Sequence, residues 1–163
     1  MIIPLLTGVA LVQTVLLSQV DLWGARPDLM LLVVLVWAVM RGIDEGMVWG
    51  FIGGLVIDLL SGGVLGVTTL ALLMAALLAG QSWGQGIGSS VIRLLLLVFV
   101  AVLVYHLILL LVLSWTGYAV DWGWTILRVA GPSALLNASL TPFVQRPLNW
   151  LEQRMRRERS FTL

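Results

Sequence analysis

The chain has 163 residues, of which 60% are hydrophobic and 10% are charged, and its mean hydropathy is +1.06. A soluble domain of this size cannot bury so much apolar surface, so the composition predicts an integral membrane protein. The chain contains no cysteine, which excludes disulfides and thiol chemistry. The net charge of +1 says little about partners, and we expect no binding to nucleic acid.

The apolar residues form six segments that we predict to be membrane-spanning helices. Their approximate bounds are 2–20, 28–41, 46–60, 64–80, 91–116 and 123–146, with a cytoplasmic tail helix over 147–159. A bilayer needs about 20 residues per helix, so the second and third segments are short, and a re-entrant hairpin is an open alternative for them. The predicted fold is an all-α, single-domain six-transmembrane helix bundle. Its last span is kinked by prolines and is followed by a basic amphipathic segment.

Small residues at four-residue spacing mark two of the predicted spans. The first span carries Ala10, Thr14 and Ser18, and the third carries Gly46, Gly50 and Gly54. Residues four apart share a helix face, and small residues let another helix approach closely inside a membrane. We therefore predict that both stripes are helix-packing or partner-binding faces. We expect the first-span stripe to meet a partner, and we expect the rest of the protein to be organised around the third span.

Asp58 continues the glycine stripe of the third span. A charge at the bilayer centre costs ~2.5–3.5 kcal/mol on insertion scales, so this carboxylate is expected to face the protein interior near the end of its helix. Arg26 and Arg128 are both candidate partners for an ion pair, and the sequence leaves the choice between them open. The alternative is that Asp58 simply reaches water.

Further polar residues stand out in apolar surroundings. Asp28 precedes the second span, and Asn137 forms a four-spaced stripe with Ser133 and Thr141 in the last span. We predict five buried polar residues, which are Arg26, Asp28, Asp58, Arg128 and Asn137. The stripe either satisfies backbone carbonyls freed by the prolines or lines a cavity. His106 stands alone in the fifth span, which is typical of hydrogen-bonded packing.

The nine basic residues, all arginine, indicate the orientation of the chain. Under six spans, Arg41, Arg93 and the five tail arginines fall on the side of the termini, and Arg26 and Arg128 fall on the other. The excess of positive charge predicts that both termini are cytoplasmic. The candidate contacts to anionic lipid in the tail are Arg154, Arg156, Arg157 and Arg159.

Residue patterns for enzymatic chemistry are missing from the sequence. His106 has no serine in a nucleophile-elbow context, and a two-carboxylate mechanism fails because only Asp58 lies at depth. The sequence also shows no P-loop, no dinucleotide fingerprint and no zinc spacing. We therefore expect a non-catalytic protein without a cofactor or a metal.

The segment from 26 to 66 resembles the MreD family of rod shape-determining proteins. The resemblance is carried by Arg26-Pro27-Asp28, Gly50-Phe51, Gly54, Asp58-Leu59-Leu60-Ser61-Gly62 and Leu65-Gly66. Length, six predicted spans, a last span with prolines and a basic tail agree with it, so it covers essentially the whole chain.

The resemblance implies a non-catalytic inner-membrane subunit of the bacterial elongation machinery, which builds lateral peptidoglycan. It implies an MreC-like membrane protein as direct partner, and MreB, RodA and a transpeptidase penicillin-binding protein as indirect ones. The family is also similar in fold to the substrate-binding subunits of energy-coupling-factor transporters. A vitamin-binding transporter subunit is therefore the alternative function.

Overall fold

The computed structural model describes residues 2–15, 27–62, 64–81, 90–117 and 121–160, with side chains for these residues except 2, 90, 91 and 155–160. All regular elements in these ranges are helical. They are α1 (Ile2–Val15), α2 (Leu29–Arg41), α3 (Ile43–Ser61), α4 (Val67–Gly80), α5 (Ser90–Trp115), α6 (Trp122–Thr125), a π-helical segment (Ile126–Ala130) and α7 (Gly131–Ser160).

Helices α2, α3 and α4 form an antiparallel series with very short connections. Gly42 alone separates α2 from α3, and its φ of +90° is a backbone conformation that glycine adopts readily. Along α3, the successive glycines meet residues progressively earlier in α2 and α4, as antiparallel packing requires. One end of the bundle therefore contains Asp28 and Asp58 and is called the Asp28 end. The opposite end is called the Arg41 end.

Helix α2 lies at the centre of the bundle. Every residue from Met30 to Ala38 is buried, so no face of this stretch is available to lipid or water. The expectation that α3 organises the chain is therefore wrong in part, because α3 is one wall around α2. A helix of 13 residues can be apolar on all sides when neighbouring helices surround it.

The helices differ in length from the predicted spans. Helix α3 begins at Ile43 and has 19 residues, so it is longer than expected, because the charged segment before Gly46 is already helical. Helix α2 is as short as predicted. Among the described residues, Ile92–Trp115 is the one helix whose length and mean hydropathy of 3.1 suit a membrane crossing. Three shorter helices are also apolar, at Ile3–Val15, Leu29–Arg41 and Val67–Gly80.

The last predicted span also differs from expectation. Its irregular part is the π-helical segment before α7, where the Gly131 N–H donates to the Ile126 carbonyl five residues back. Pro132 has no N–H to offer to the preceding turn, which favours this shift. Helix α7 then continues through Pro142 and Pro147 for 30 residues. The predicted separate tail helix over 147–159 is thus the continuation of α7, and buried Leu148 anchors it to the bundle.

Candidate functional site

The Asp58 carboxylate closes the turn between α3 and α4. Oδ2 accepts hydrogen bonds from the Gly66 N–H at 3.0 Å, the Thr69 N–H at 3.0 Å and the Thr69 hydroxyl at 2.7 Å. Oδ1 accepts from the Thr68 N–H at 3.1 Å. With 2% of its surface exposed, Asp58 faces the bundle interior. It therefore supplies acceptors to the free donors at the start of α4.

This arrangement follows from the backbone at the start of α4. The first N–H groups of any helix lack intrahelical acceptors, and a negative charge there is favourable to the helix dipole. Gly66 has a φ of +91°, a conformation that turns the chain so that its N–H faces Asp58. The described hydrogen bonds of the carboxylate all come from residues 66–69, so an ion pair with Arg128 is not what holds it. The prediction that Arg128 is buried is wrong, because it is exposed on the π-helical segment. The predicted burial of Arg26 and its ion pair with Asp58 lie outside the described residues.

The glycines of α3 leave room for α4 to pack closely against it. A Cβ added to Gly54 would lie 2.4 Å from the Thr69 Cα, and one added to Gly50 would lie 3.2 Å from the Leu72 carbonyl oxygen. Gly46 faces α2 instead, where a Cβ would lie 2.5 Å from the Ala38 Cβ. The predicted stripe therefore packs inside the protein against two different helices. Gly46, Gly50 and Gly54 are therefore not available to a partner protein.

Two close contacts of this kind were missed from the sequence. Gly53 faces Met30 of α2, and Gly80 at the end of α4 faces the backbone of Ile43. Gly53 lies one position before Gly54, so the GG pair offers one glycine to each neighbouring helix. The Gly53-Gly54 doublet was the sequence signal from which the contact of Gly53 with α2 could have been predicted.

A second polar cluster caps the N-terminus of α2. The Asp28 carboxylate accepts from the Leu31 N–H at 2.9 Å, and Gln13 of α1 accepts from the Met30 N–H at 2.8 Å. The Asn137 Oδ1 of α7 accepts from the Asp28 N–H at 3.0 Å. Tyr105 of α5 interacts with the Asp28 side chain. Side chains from four helices thus meet at the start of the central helix.

The polar stripe on α7 is buried and bonds mainly to its own helix. The Asn137 amide donates to the Ser133 carbonyl at 2.9 Å, and the Thr141 hydroxyl donates to the Asn137 carbonyl at 2.9 Å. His106 bonds the Val102 carbonyl through Nδ1 at 2.9 Å and contacts Tyr105 edge-on. These residues satisfy backbone groups, and only Asn137 extends the network to another helix.

The Arg41 end holds an ion-pair cluster that sequence reasoning missed. The Arg41 guanidinium lies 3.1 Å from Glu45 and 3.8 Å from Glu152 of α7. The Trp37 indole also donates to Glu45 at 3.2 Å and stacks on Trp49 at 4.2 Å between ring centroids. Only the Arg41–Glu45 spacing was visible in the sequence.

In the described part of the small-residue stripe of α1, Ala10 faces inward, contrary to the expectation that this stripe meets a partner. Ala10 is completely buried beside α2 and α3, and Thr14 is half-buried with its hydroxyl bonded to the Ala10 carbonyl at 2.9 Å. The free face of α1, opposite Leu6 and Ala10, carries the exposed residues Pro4, Gly8 and Val12. Ser18 lies outside the described residues. Ala10 therefore contributes to the packing of the bundle. A helix at the edge of a bundle can still bury the face that carries its small side chains against its neighbours.

The tail arginines are only partly described. Arg154 is exposed, and its guanidinium lies 5.0 Å from the centre of the Trp150 ring. The side chains of Arg156, Arg157 and Arg159 lie outside the described part of the structure.

The described polar groups are arranged for packing. Every buried side-chain nitrogen or oxygen in this part of the chain has a hydrogen-bond partner, and no three of its His, Asp or Glu residues are grouped as metal ligands would be. The Asp58 and Asp28 carboxylates both hold helix N-termini. This arrangement stabilises a close helix bundle and presents outward faces that are largely apolar.

Comparison with known proteins agrees with the resemblance seen in the sequence. The family model described as rod shape-determining protein MreD matches residues 1–151. No curated protein and no solved structure matches the chain. Because the family match covers most of the sequence, the chain belongs to the MreD family of membrane-associated, rod shape-determining proteins.

Proposed function

We propose that this protein is a non-catalytic subunit of the cell-elongation machinery in the bacterial inner membrane. In this role it binds an MreC-like membrane protein and, through it, acts with MreB, RodA and a transpeptidase in lateral peptidoglycan synthesis. The observation that carries the proposal is the family match over residues 1–151. The described polar side chains support it, because they are committed to helix capping and packing.

The proposal includes six membrane crossings with the Arg41 end in the cytoplasm. The charge distribution supports this orientation, since Arg41, Arg93 and the tail arginines lie on that side. Helix α5 supplies one largely apolar crossing of 24 residues, and the shorter helices pack beside it.

Single-cysteine labelling tests the orientation, because the natural chain has no cysteine. Ser61→Cys and Thr116→Cys place exposed thiols at the Asp28 end and should react with an impermeant maleimide added to intact cells. Asp44→Cys is exposed at the Arg41 end and should react only after permeabilisation. The reverse pattern would contradict the proposed orientation.

The free face of α1 is our candidate for the partner contact. Ala10 and Leu6 are already buried, so a partner helix must approach the opposite side. On that side a Cβ added to Gly8 meets nothing within 4 Å, which leaves a shallow notch between Pro4 and Val12, one turn before and one turn after it. Small residues allow close backbone approach where lipid gives little hydrophobic drive between helices.

Two substitutions two residues apart separate partner binding from folding. Gly8→Leu fills the notch and should reduce capture of the MreC-like protein at least several-fold, while the amount of folded protein stays unchanged. Ala10→Leu inserts a large side chain into a filled site and should lower the amount of folded protein, since overpacking costs ~1–3 kcal/mol.

Both quantities are measured by affinity capture in mild detergent and by size-exclusion chromatography of the tagged protein. Undiminished capture by Gly8→Leu would exclude this face of α1. Capture of ATPase subunits, or tight binding of a vitamin by the purified chain, would favour the transporter alternative over the proposed function.

A further inference from the structure

The C-terminal half of α7 has two chemically different faces. Thr141, Leu148 and Glu152 face the bundle. At 100° per residue, the opposite side groups four residues within an arc of about 80°. These are Phe143, Arg146, Trp150 and Arg154, all of them exposed. We call this surface the arginine–tryptophan face.

The Arg41 ion-pair cluster determines the direction of this face. Glu152 lies 3.8 Å from Arg41 of α2, which fixes the rotation of α7 about its axis. Glu45 also bonds Arg41, so two acidic side chains at this end are engaged on the inner side. Within the described part of the chain, no acidic side chain pairs with Arg146 or Arg154. Among the side chains that the structure describes, the arginine–tryptophan face therefore carries two positive charges and no acidic group.

The order of residues along the face matches the polarity gradient of a membrane surface. Phe143 is nearest the middle of the helix, and Arg146, Trp150 and Arg154 follow toward its C-terminus over about 16 Å at 1.5 Å per residue. Aromatic rings and arginines are enriched where hydrocarbon meets headgroups. The Arg154 guanidinium lies over the Trp150 ring at 5.0 Å, so the aromatic side chain holds it at the surface.

We propose that the arginine–tryptophan face binds the phosphate headgroup of an anionic phospholipid. This rests on the membrane location in the proposed function. Arg146 and Arg154 supply the charge and the planar donors that suit a phosphate, and the Trp150 indole supplies an N–H donor at the same level. Phe143 contacts the upper acyl chain. The helix thereby fixes its own depth in the cytoplasmic leaflet.

The test is native mass spectrometry of the full chain in mild detergent, with phosphatidylglycerol as probe and phosphatidylcholine as comparison. The double substitution Arg146→Gln with Arg154→Gln should weaken phosphatidylglycerol binding about 30-fold, at ~1 kcal/mol per arginine. Trp150→Leu should weaken it by a smaller factor. All three side chains are exposed, so the variants should fold normally.

Arg128→Gln is the matched control, because Arg128 is an exposed arginine near the opposite end of the bundle. An equal loss of binding in this control would overturn the proposal, since the effect would then follow net charge. Equal affinity for phosphatidylcholine would also overturn it. Displacement of the lipid by millimolar inorganic phosphate would show that free phosphate, and not lipid, is the ligand.

The lipid proposal and the proposed function fail separately. The double arginine variant should still capture the MreC-like partner, because the free face of α1 is untouched. Loss of lipid binding with partner capture retained supports the lipid site. Unchanged lipid binding in that variant overturns it, whatever the partner assay shows.

Discussion

Asp58→Leu should prevent stable folding of the protein. The substitution removes the acceptor of the Gly66, Thr68 and Thr69 N–H groups and of the Thr69 hydroxyl, at a site that is 2% exposed. Each buried donor left without a partner costs ~1–3 kcal/mol, so the two donors of buried Thr69 account for roughly 2–6 kcal/mol. Gly66 is exposed and Thr68 is half-buried, so water can partly replace their bonds. The loss of negative charge at the start of α4 adds to the cost.

Asp58→Asn should be clearly milder than Asp58→Leu. If the amide oxygen takes the position of Oδ2, it still accepts from Gly66 and Thr69, and the amide nitrogen then opposes the Thr68 N–H. One bond is lost, for ~1–3 kcal/mol. Thr69→Val removes one hydroxyl donor and should cost less again.

Asp121→Ala provides the matched control for this series. Asp121 caps α6 through the Trp124 N–H at 3.1 Å, but the site is exposed and the helix has four residues. Loss of such a cap costs ~1 kcal/mol at most in this setting, because water replaces the bond. The measurements are the yield of monodisperse protein and its thermal midpoint in detergent. A normal yield and midpoint for Asp58→Leu would contradict the structural role of the carboxylate.

Gly54→Ala should be nearly as damaging, although it adds a single methyl group. The new Cβ would lie 2.4 Å from the Thr69 Cα and 2.9 Å from the Thr69 nitrogen, and backbone atoms cannot move aside as a flexible side chain can. Separating α3 from α4 at this point also draws Thr69 away from Asp58. We expect a loss of ~3 kcal/mol, at the upper end for overpacking.

A graded alanine series checks this steric explanation. Gly50→Ala meets the Leu72 carbonyl oxygen at 3.2 Å and should cost ~1 kcal/mol. Gly8→Ala meets nothing within 4 Å and should raise the thermal midpoint slightly, since alanine favours helix by up to ~1 kcal/mol over glycine. Equal effects at all three positions would contradict it, because helix propensity alone would then explain the data.

The sequence by itself determined the class of protein and many of its helices. Composition and continuous apolar segments predict a membrane-embedded helical chain, and the family resemblance is confirmed by the match over residues 1–151. The spacing of Gly46, Gly50 and Gly54 is a local property, so it shows that one face of α3 is closely approached. A four-residue spacing indicates such a face because residues four apart lie on the same side of a helix, whatever surrounds that helix.

Only the tertiary structure decided what meets each face. Gly50 and Gly54 face α4 while Gly46 faces α2, and Ala10 faces inward although its spacing is equally compatible with a partner face. The partners of Asp58 lie eight to eleven residues away across a turn, and their backbone N–H groups carry no sequence signal. Asp28 with Asn137 and Arg41 with Glu152 join helices more than 100 residues apart. Such pairs depend on how the helices are packed and rotated, which a single sequence does not specify.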